Sequence, residues 1–179
     1  MSFTEGSYEK ALIALFENLG YQHQYGPNIE RDYYVPFYEE QLIESLTTIN
    51  YGKPRPAIDE AISKLKDIEI GSLPQRNELF MDYLQHGIEV SFFDGKEQCN
   101  DIIYLIDYND KNIKRNDFKV INQWTFVENS EKRADIILFV NGLPLVVIEL
   151  KSPSREETNV SEAYLQSVSY THLRAHETS

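Results

Sequence analysis

Two apolar runs in the last third of the chain constrain its fold more than any other stretch. The runs are Ile136–Val140 and Leu145–Ile148, and Asn141-Gly142-Leu143-Pro144 lies between them. Both runs are short and rich in β-branched residues, and Asn-Gly is a strong hairpin signal. The sequence therefore predicts two antiparallel strands joined by a tight turn. Because the second run is apolar at consecutive positions, we expect a central strand that is covered on both faces.

Three charged residues interrupt this apolar pattern. Asp135 precedes the first run, and Glu149 and Lys151 follow the second. Burying unpaired charge is costly, so these side chains need a partner or a function. Two carboxylates on neighbouring strands can hold a hard cation such as Mg²⁺. A lysine two residues after the glutamate would share its face of the strand and could contact a phosphate or the attacking water. The pattern favours a phosphodiesterase site; the alternative is a surface ion pair that contributes little.

The site requires a particular hairpin register. In a plain two-residue Asn-Gly hairpin Val140 faces Leu143, and Asp135 and Glu149 then point to opposite sides of the sheet. The carboxylates share a face if Val140 instead faces Pro144 across a three-residue loop. A β-bulge near either end of the hairpin would have the same effect. We therefore predict that the hairpin departs from the plain two-residue form.

Composition restricts the classes of function. The 179 residues suffice for one α/β domain with its own core. Acidic residues outnumber basic ones, 29 against 17, for a net charge of −12. Tight independent binding to DNA usually needs a basic face, so if this chain acts on DNA, something else must deliver the DNA to it. The single cysteine, Cys99, excludes an intrachain disulfide and a cysteine-based zinc site. Without an evident signal peptide or membrane segment, we expect a cytoplasmic protein and no membrane partner.

Periodicity predicts a helical N-terminal region followed by strands. Helices are expected at about 8–19, 37–49, 56–66 and 74–86, and strands at Ile88–Phe93, Ile102–Asp107 and Phe118–Val127, ahead of the hairpin. Residues 21–35 are expected to be irregular, with a turn at Gly26. Glu9 lies one helical turn from Ile13 and is a weaker candidate for the site, although an acidic residue near a helix start is usually explained by the helix dipole.

Asp135 followed by Glu149-Leu150-Lys151 matches the PD-(D/E)xK nuclease motif. The surrounding words RADIILFVNGLPLVVIELKSPS, IDYNDKNIKRNDFKVINQWTF and YEKALIALFENLGYQHQYGPNIER resemble the N-terminal nuclease domain of type I restriction enzyme R subunits over residues 7–166. Ala134 departs from the family's usual proline, which changes no ligand. The resemblance implies a restriction-endonuclease-like core, with a central mixed β-sheet flanked by helices.

The resemblance also implies function and partners. It implies Mg²⁺-dependent cleavage of double-stranded DNA, with Asp135 and Glu149 on the metal and Lys151 as the third catalytic residue. Partner methyltransferase and specificity subunits would supply recognition and use S-adenosylmethionine. The ATP-driven translocase that delivers DNA belongs to the full-length subunit, and no phosphate-loop motif occurs in this sequence.

The C-terminal residues do not continue this pattern. From about Ser167 the sequence resembles a translated sequencing adapter, so we expect one nuclease domain over 1–166 and a non-native tail over 167–179. R subunits carry a Gln-x-x-x-Tyr motif after the nuclease strand. Gln166 is a weaker catalytic candidate on that basis, whereas Tyr170 falls within the tail.

Two other functions fit the same residues. One is a non-catalytic docking module for the motor or methyltransferase subunits, which an acidic, tyrosine-rich surface would suit. The other is the nuclease of a different restriction or repair system. Mg²⁺ binding that depends on Asp135 separates the first alternative from the nuclease, and helicase motifs downstream of Gln166 in the intact gene would argue against the second.

Overall fold

The computed structural model describes residues 5–68, 72–127 and 130–151. The helices in this part of the chain are α1 (Glu5–Asn18), α2 (Glu39–Ile49), α3 (Arg55–Lys66) and α4 (Leu73–His86). The strands are β1 (Gln22–Tyr25), β2 (Ile88–Phe93), β3 (Gln98–Ile103), β4 (Phe118–Val127), β5 (Glu131–Val140) and β6 (Leu143–Ile148). Short 3-10 turns occur at Gly26–Asn28 and Ile113–Arg115.

A four-stranded mixed sheet carries the hairpin. Its strand order is β1-β4-β5-β6. Strand β5 pairs antiparallel with both β4 and β6, whereas β1 pairs parallel with β4. The expectation of an α/β fold with a central mixed sheet flanked by helices is therefore confirmed.

Each face of this sheet has its own core. Helix α1 buries Ile13 against Val120, Ile136 and Leu138 on one face. On the other face the rings of Trp124 and Phe139 lie 4.7 Å apart, and the ring of Tyr38 packs against both. Burial of large aromatic and aliphatic side chains on both faces is the main stabilising contribution to such a sheet.

The N-terminal helical region forms a second layer. Helices α2, α3 and α4 pack with the two-stranded antiparallel sheet β2–β3 around a core that includes Leu42, Leu46, Ile58, Leu65, Ile88 and Ile103. Helix α4 begins at a capping box between Ser72 and Gln75 and is followed by Gly87, whose φ is +83°. Leu143 belongs to the same core, so the helical layer packs against the hairpin.

Helix α2 packs directly against the hairpin turn. Asn141 and Gly142 have φ values of +53° and +79°, as a two-residue type I′ turn requires. The buried Asn141 amide donates to the backbone oxygen of Leu105 and to Asn116 Oδ1, both at 2.8 Å. A Cβ atom on Gly142 would lie 2.5 Å from the backbone nitrogen of Leu42. Only glycine fits here, both by conformation and by space.

Several predicted elements differ from the observed ones. Strand β1 lies in the stretch that was expected to be irregular, and β3 covers Gln98–Ile103 rather than Ile102–Asp107. Both observed strands are short and polar, so they lack the apolar pattern that identifies a strand. The four predicted helices and the strands β2 and β4 lie close to their expected positions.

The prediction of a covered central strand for Leu145–Ile148 is wrong within the described residues. Strand β6 is at the edge of the four-stranded sheet, and the side chains of Val146 and Val147 are 45% and 57% exposed. The continuous apolar run reflects the core contacts of Leu143, Leu145 and Ile148, not burial of every position.

Among the described helices, none combines the length and the apolar character needed to cross a membrane.

Candidate active site

A β-bulge at Leu145 determines which side chains share a face at the open end of the hairpin. Next to the turn, Val140 pairs with Leu143, as in a plain two-residue hairpin. The register then shifts between Leu138 and Phe139, and beyond the shift Ile136 pairs with Ile148. Continuing this register by one residue places Asp135 opposite Glu149.

Of the two departures that would place the carboxylates on one face, the hairpin has the β-bulge and not the three-residue loop. Val140 does not face Pro144, because Asn141 and Gly142 both adopt the left-handed conformation and close the turn with two residues. The prediction that the hairpin is not an uninterrupted two-residue ladder is confirmed. The bulge restores the pairing that the two carboxylates need.

The carboxyl groups of Asp135 and Glu149 meet at this position. They are within hydrogen-bonding contact, and the pKa of Glu149 is raised by partial burial of its carboxyl group, by the nearby charge of Asp135 and by the hydrogen bond between them. The backbone N–H of Leu150 donates to Asp135 Oδ2 at 2.7 Å. This bond holds one carboxylate oxygen of Asp135 in place.

Lys151 is exposed and lies two residues beyond Glu149. Strand β6 ends at Ile148, so the Glu149-Leu150-Lys151 motif follows the strand directly and does not lie within it. The shared face that the sequence predicted for Glu149 and Lys151 therefore does not follow from strand geometry, and the role of Lys151 stays a prediction.

The carboxylate of Glu9, on helix α1, binds two side-chain amides of strand β4. It accepts hydrogen bonds from Asn122 Nδ2 and, at 2.9 Å, from Gln123 Nε2. His23 Nε2 lies 2.9 Å from the side-chain oxygen of Asn122. The carboxylates of Glu9, Asp135 and Glu149 do not form a group within 4.8 Å of one another. A catalytic role for Glu9 stays a prediction, and Gln166 lies outside the described residues.

Sequence reasoning missed the polar pair Asn122-Gln123. The signal was available, because two adjacent amides stand in the middle of strand β4, which is mostly apolar. It also missed Arg31, whose guanidinium carbon lies 3.4 Å from the centroid of Trp124 in a cation–π contact. Trp124 pairs with Ala134, the residue before Asp135, so this stacked cation packs on the strand next to the one that carries Asp135.

The basic residues that lie near Asp135 and Glu149 in the sequence fall into two groups in the fold. Lys111, Lys114 and Arg115 precede the first residue of β4, whereas the candidate site lies opposite its second half. Lys119 is buried in an ion pair with Asp117, with an N–O distance of 2.6 Å. Lys132, Arg133 and Lys151 are exposed on the segments that flank Asp135 and Glu149. Only this second group lies on the strand ends that carry the candidate site.

The donor set at the hairpin fits a hard divalent cation. The pKa of Glu149 is raised first by partial burial of its carboxyl group and then by repulsion from the adjacent carboxylate of Asp135. A cation between the two carboxylates would relieve this repulsion, and carboxylate oxygen is the ligand that Mg²⁺ prefers. Elsewhere among the described residues, Asp94, Glu97 and Cys99 form a group within 4.8 Å on the exposed β2–β3 hairpin. The Asp94 carboxylate already accepts the backbone N–H groups of Lys96 and Glu97 there.

Comparison with known proteins places the chain in a family. The family model described as "Type I restriction enzyme R protein N terminus" matches residues 2–178. The HindI endonuclease subunit of a type I restriction enzyme from Haemophilus influenzae is 30% identical over 176 residues, which is 93% of this chain and 16% of that protein.

Two further relatives come from different organisms. The putative MjaIXP endonuclease subunit of Methanocaldococcus jannaschii is 28% identical over 84% of this chain and 15% of its own length. The EcoprrI endonuclease subunit of Escherichia coli is 31% identical over 83% of this chain and 44% of its own length. The chain thus spans less than half the length of these relatives. It belongs to the family of type I restriction enzyme R proteins, matching their N-terminal part, and its mixed sheet has the restriction-endonuclease-like fold of that family.

Proposed function

We propose that this chain is the Mg²⁺-dependent DNA-cleaving part of a type I restriction enzyme R subunit. The observation that carries the proposal is the contact between the carboxyl groups of Asp135 and Glu149, which a bulge in the hairpin brings together. Membership of the R protein family supports the same conclusion, since the relatives are endonuclease subunits by name.

Asp135 and Glu149 would hold the metal ion. The Leu150 amide orients Asp135 by a 2.7 Å hydrogen bond, and the bulge fixes Glu149 beside it. Bound Mg²⁺ supplies a water of lowered pKa and neutralises charge on the phosphate. Lys151, two residues beyond Glu149, would donate a hydrogen bond to the scissile phosphate or to the attacking water. Its ammonium group would thereby stabilise the negative charge that develops during hydrolysis.

Delivery of the DNA would come from outside this chain. The net charge of −12 opposes tight independent binding to a polyanion. A translocase that uses ATP, in the rest of the subunit, would bring double-stranded DNA to the site. Methyltransferase and specificity subunits that use S-adenosylmethionine would select the sequence, and cleavage by this domain would not read it.

Calorimetric titration of Mg²⁺ into the 179-residue chain tests the metal site. We expect binding by the wild type and loss of that binding in Asp135→Asn, which preserves shape and removes the charge. Glu131→Gln, an exposed carboxylate on the same strand, is the matched control and should bind as the wild type does. Asp94→Asn shows whether any Mg²⁺ binding comes from the exposed group on the β2–β3 hairpin instead. The proposal fails if Asp135→Asn binds as well as the wild type, or if only Asp94→Asn removes binding.

A docking module is the second candidate. The exposed edge strand β6, with its exposed Val146 and Val147, favours it, because such an edge can pair with another protein. This candidate predicts no Mg²⁺ binding that depends on Asp135. It further predicts that a charged residue at Val147 abolishes assembly with the methyltransferase subunits.

A further inference from the structure

Strand β4 has an unusual backbone opposite the candidate site. Gln123 has a φ of +56°, in the left-handed region that residues with a Cβ rarely adopt. The flanking register pairs are Asn122 with Ile136 and Trp124 with Ala134. Gln123 therefore lies opposite Asp135, at the one position where this stretch of the ladder is interrupted. Strained backbone in an otherwise regular strand persists only where its surroundings fix it.

At the interruption, the alternation of side chains between the two faces of the sheet is reversed. In a regular strand, residues three positions apart point to opposite faces. Yet Ile121 and Trp124 lie in the same buried cluster, and so do Ala134 and Ile137 on the neighbouring strand. In both strands, therefore, the alternation of faces reverses between these residues. The side chain of Asp135 lies at the point of change, where ordinary alternation does not determine its direction.

Contacts from three elements hold this bend in place. Helix α1 contributes Glu9, which accepts the side-chain amides of Asn122 and Gln123. The turn after β1 contributes Gly26, where an added Cβ would lie 2.8 Å from the backbone oxygen of Gln123 and 2.9 Å from that of Asn122. Strand β1 contributes His23, whose ring nitrogen contacts Asn122. The bend is therefore packed against the body of the domain.

We propose that Gln123 is a positioning residue whose left-handed backbone reverses the alternation of faces in β4 and β5 together, with no shift of register between them, and so directs the Asp135 carboxylate to Leu150 and Glu149. The bond from Gln123 to Glu9 anchors the bend to helix α1. The consequence for metal binding and cleavage rests on the function proposed above, whereas the consequence for the direction of Asp135 does not.

The test compares variants that differ in their tolerance of positive φ. Gln123→Gly and Gln123→Val both remove the amide that binds Glu9, but only valine strongly resists the left-handed conformation. The readout is hydrogen exchange of the Leu150 amide, which donates to Asp135. Asp135→Ala provides the exchange rate expected when this bond is absent. Amides of Ile137 and Phe139, in the central strand β5, report whether the sheet itself is intact.

We expect the Leu150 amide to exchange about tenfold faster in Gln123→Val than in Gln123→Gly, with Ile137 and Phe139 still protected. If the valine variant does not fold, Gln123→Ala replaces it, with an expected difference of about threefold. Leu150 exchange rates that agree within about twofold across the folded variants would overturn the proposal. Calorimetry on the same proteins should show weaker Mg²⁺ binding in the variant with faster exchange. Absence of Mg²⁺ binding by the wild type would instead count against the proposed function and leave the exchange comparison intact.

Discussion

At the scale of single residues, the chain places like charges where they repel. The carboxyl groups of Asp135 and Glu149 touch, and a surface residue could avoid this contact by turning into solvent. The Leu150 amide holds Asp135 in place, and the bulge sets the register that brings Glu149 opposite it. A site that is unfavourable without its ligand and relieved by a cation is a common arrangement in metal centres, because ligand binding then offsets the repulsion.

Glu149→Gln should stabilise the metal-free chain at neutral pH. The raised pKa means that the folded state favours protonated Glu149, so this stabilisation is present at acid pH and is lost as pH rises through the folded-state pKa. Glutamine keeps a neutral side chain throughout. Urea unfolding in a chelator should therefore show a gain at pH 7, below about 1 kcal/mol because the residue is exposed, and a smaller gain near pH 4. A loss of stability at pH 7 would contradict the assigned repulsion, and Glu131→Gln should show no such difference.

Lys151→Ala should separate cleavage from folding and from metal binding. The side chain is exposed, so its removal should change the free energy of unfolding by less than about 0.5 kcal/mol. In the assembled enzyme we expect DNA cleavage to be lost while ATP-driven translocation persists. Lys132→Ala, another exposed lysine near the hairpin, is the control. A near-normal cleavage rate in Lys151→Ala would assign the lysine to a structural role.

At the scale of elements, the hairpin shows where sequence reasoning succeeds and where it stops. Alternation of faces demanded a departure from a plain hairpin, and a departure is present. The sequence could not choose between a longer loop and a bulge, because that choice depends on contacts from α2 to Gly142 and from Asn116 and Leu105 to Asn141. These contacts come from residues far away in sequence.

Edges of sheets were the least predictable elements. Strand β1, Gln22–Tyr25, is polar and, among the strands that the structure describes, pairs only with β4, so no apolar pattern marks it. Strand β6 has the apolar pattern of a central strand but lies at an edge of the described sheet. Likewise, the bend at Gln123 follows from contacts with Glu9 and Gly26, which periodicity within β4 cannot reveal.

Gly142→Ala should destabilise the chain more than an equivalent substitution elsewhere. Alanine at Gly142 must adopt positive φ and must also place Cβ against the backbone of Leu42, for a cost of about 2–5 kcal/mol. Gly95 has a φ of +100° and open space around it, so Gly95→Ala should cost only about 1–2 kcal/mol. Thermal or urea unfolding measures both. Equal losses would mean that α2 does not constrain the hairpin turn.

At the scale of the whole molecule, the negative net charge disfavours the binding of DNA that the candidate site would require. The domain that we propose to act on a polyanion has a net charge of −12, and among the described residues the exposed basic side chains that flank the candidate site are those of Lys132, Arg133 and Lys151. The candidate site was nevertheless readable in sequence, because charge at the end of an apolar strand is costly without a partner or a function. The acidic composition predicts that another part of the enzyme must bring DNA to this domain, because long-range electrostatic attraction would not.

The isolated chain should therefore bind duplex DNA weakly. At about 0.15 M salt we expect a dissociation constant above about 10⁻⁴ M, the weak end of non-specific binding. Fluorescence anisotropy with a labelled duplex, with and without Mg²⁺, measures it. Micromolar binding by this chain alone would contradict the requirement for a delivering partner.

The central claim is that Asp135 and Glu149 together hold a divalent ion. Anomalous scattering from a crystal of this chain soaked in Mn²⁺, a hard ion that can replace Mg²⁺, tests it most directly. The account predicts a peak about 2.1 Å from one oxygen of each carboxylate. A peak that contacts neither carboxylate, such as one confined to Asp94, Glu97 and Cys99, would contradict it.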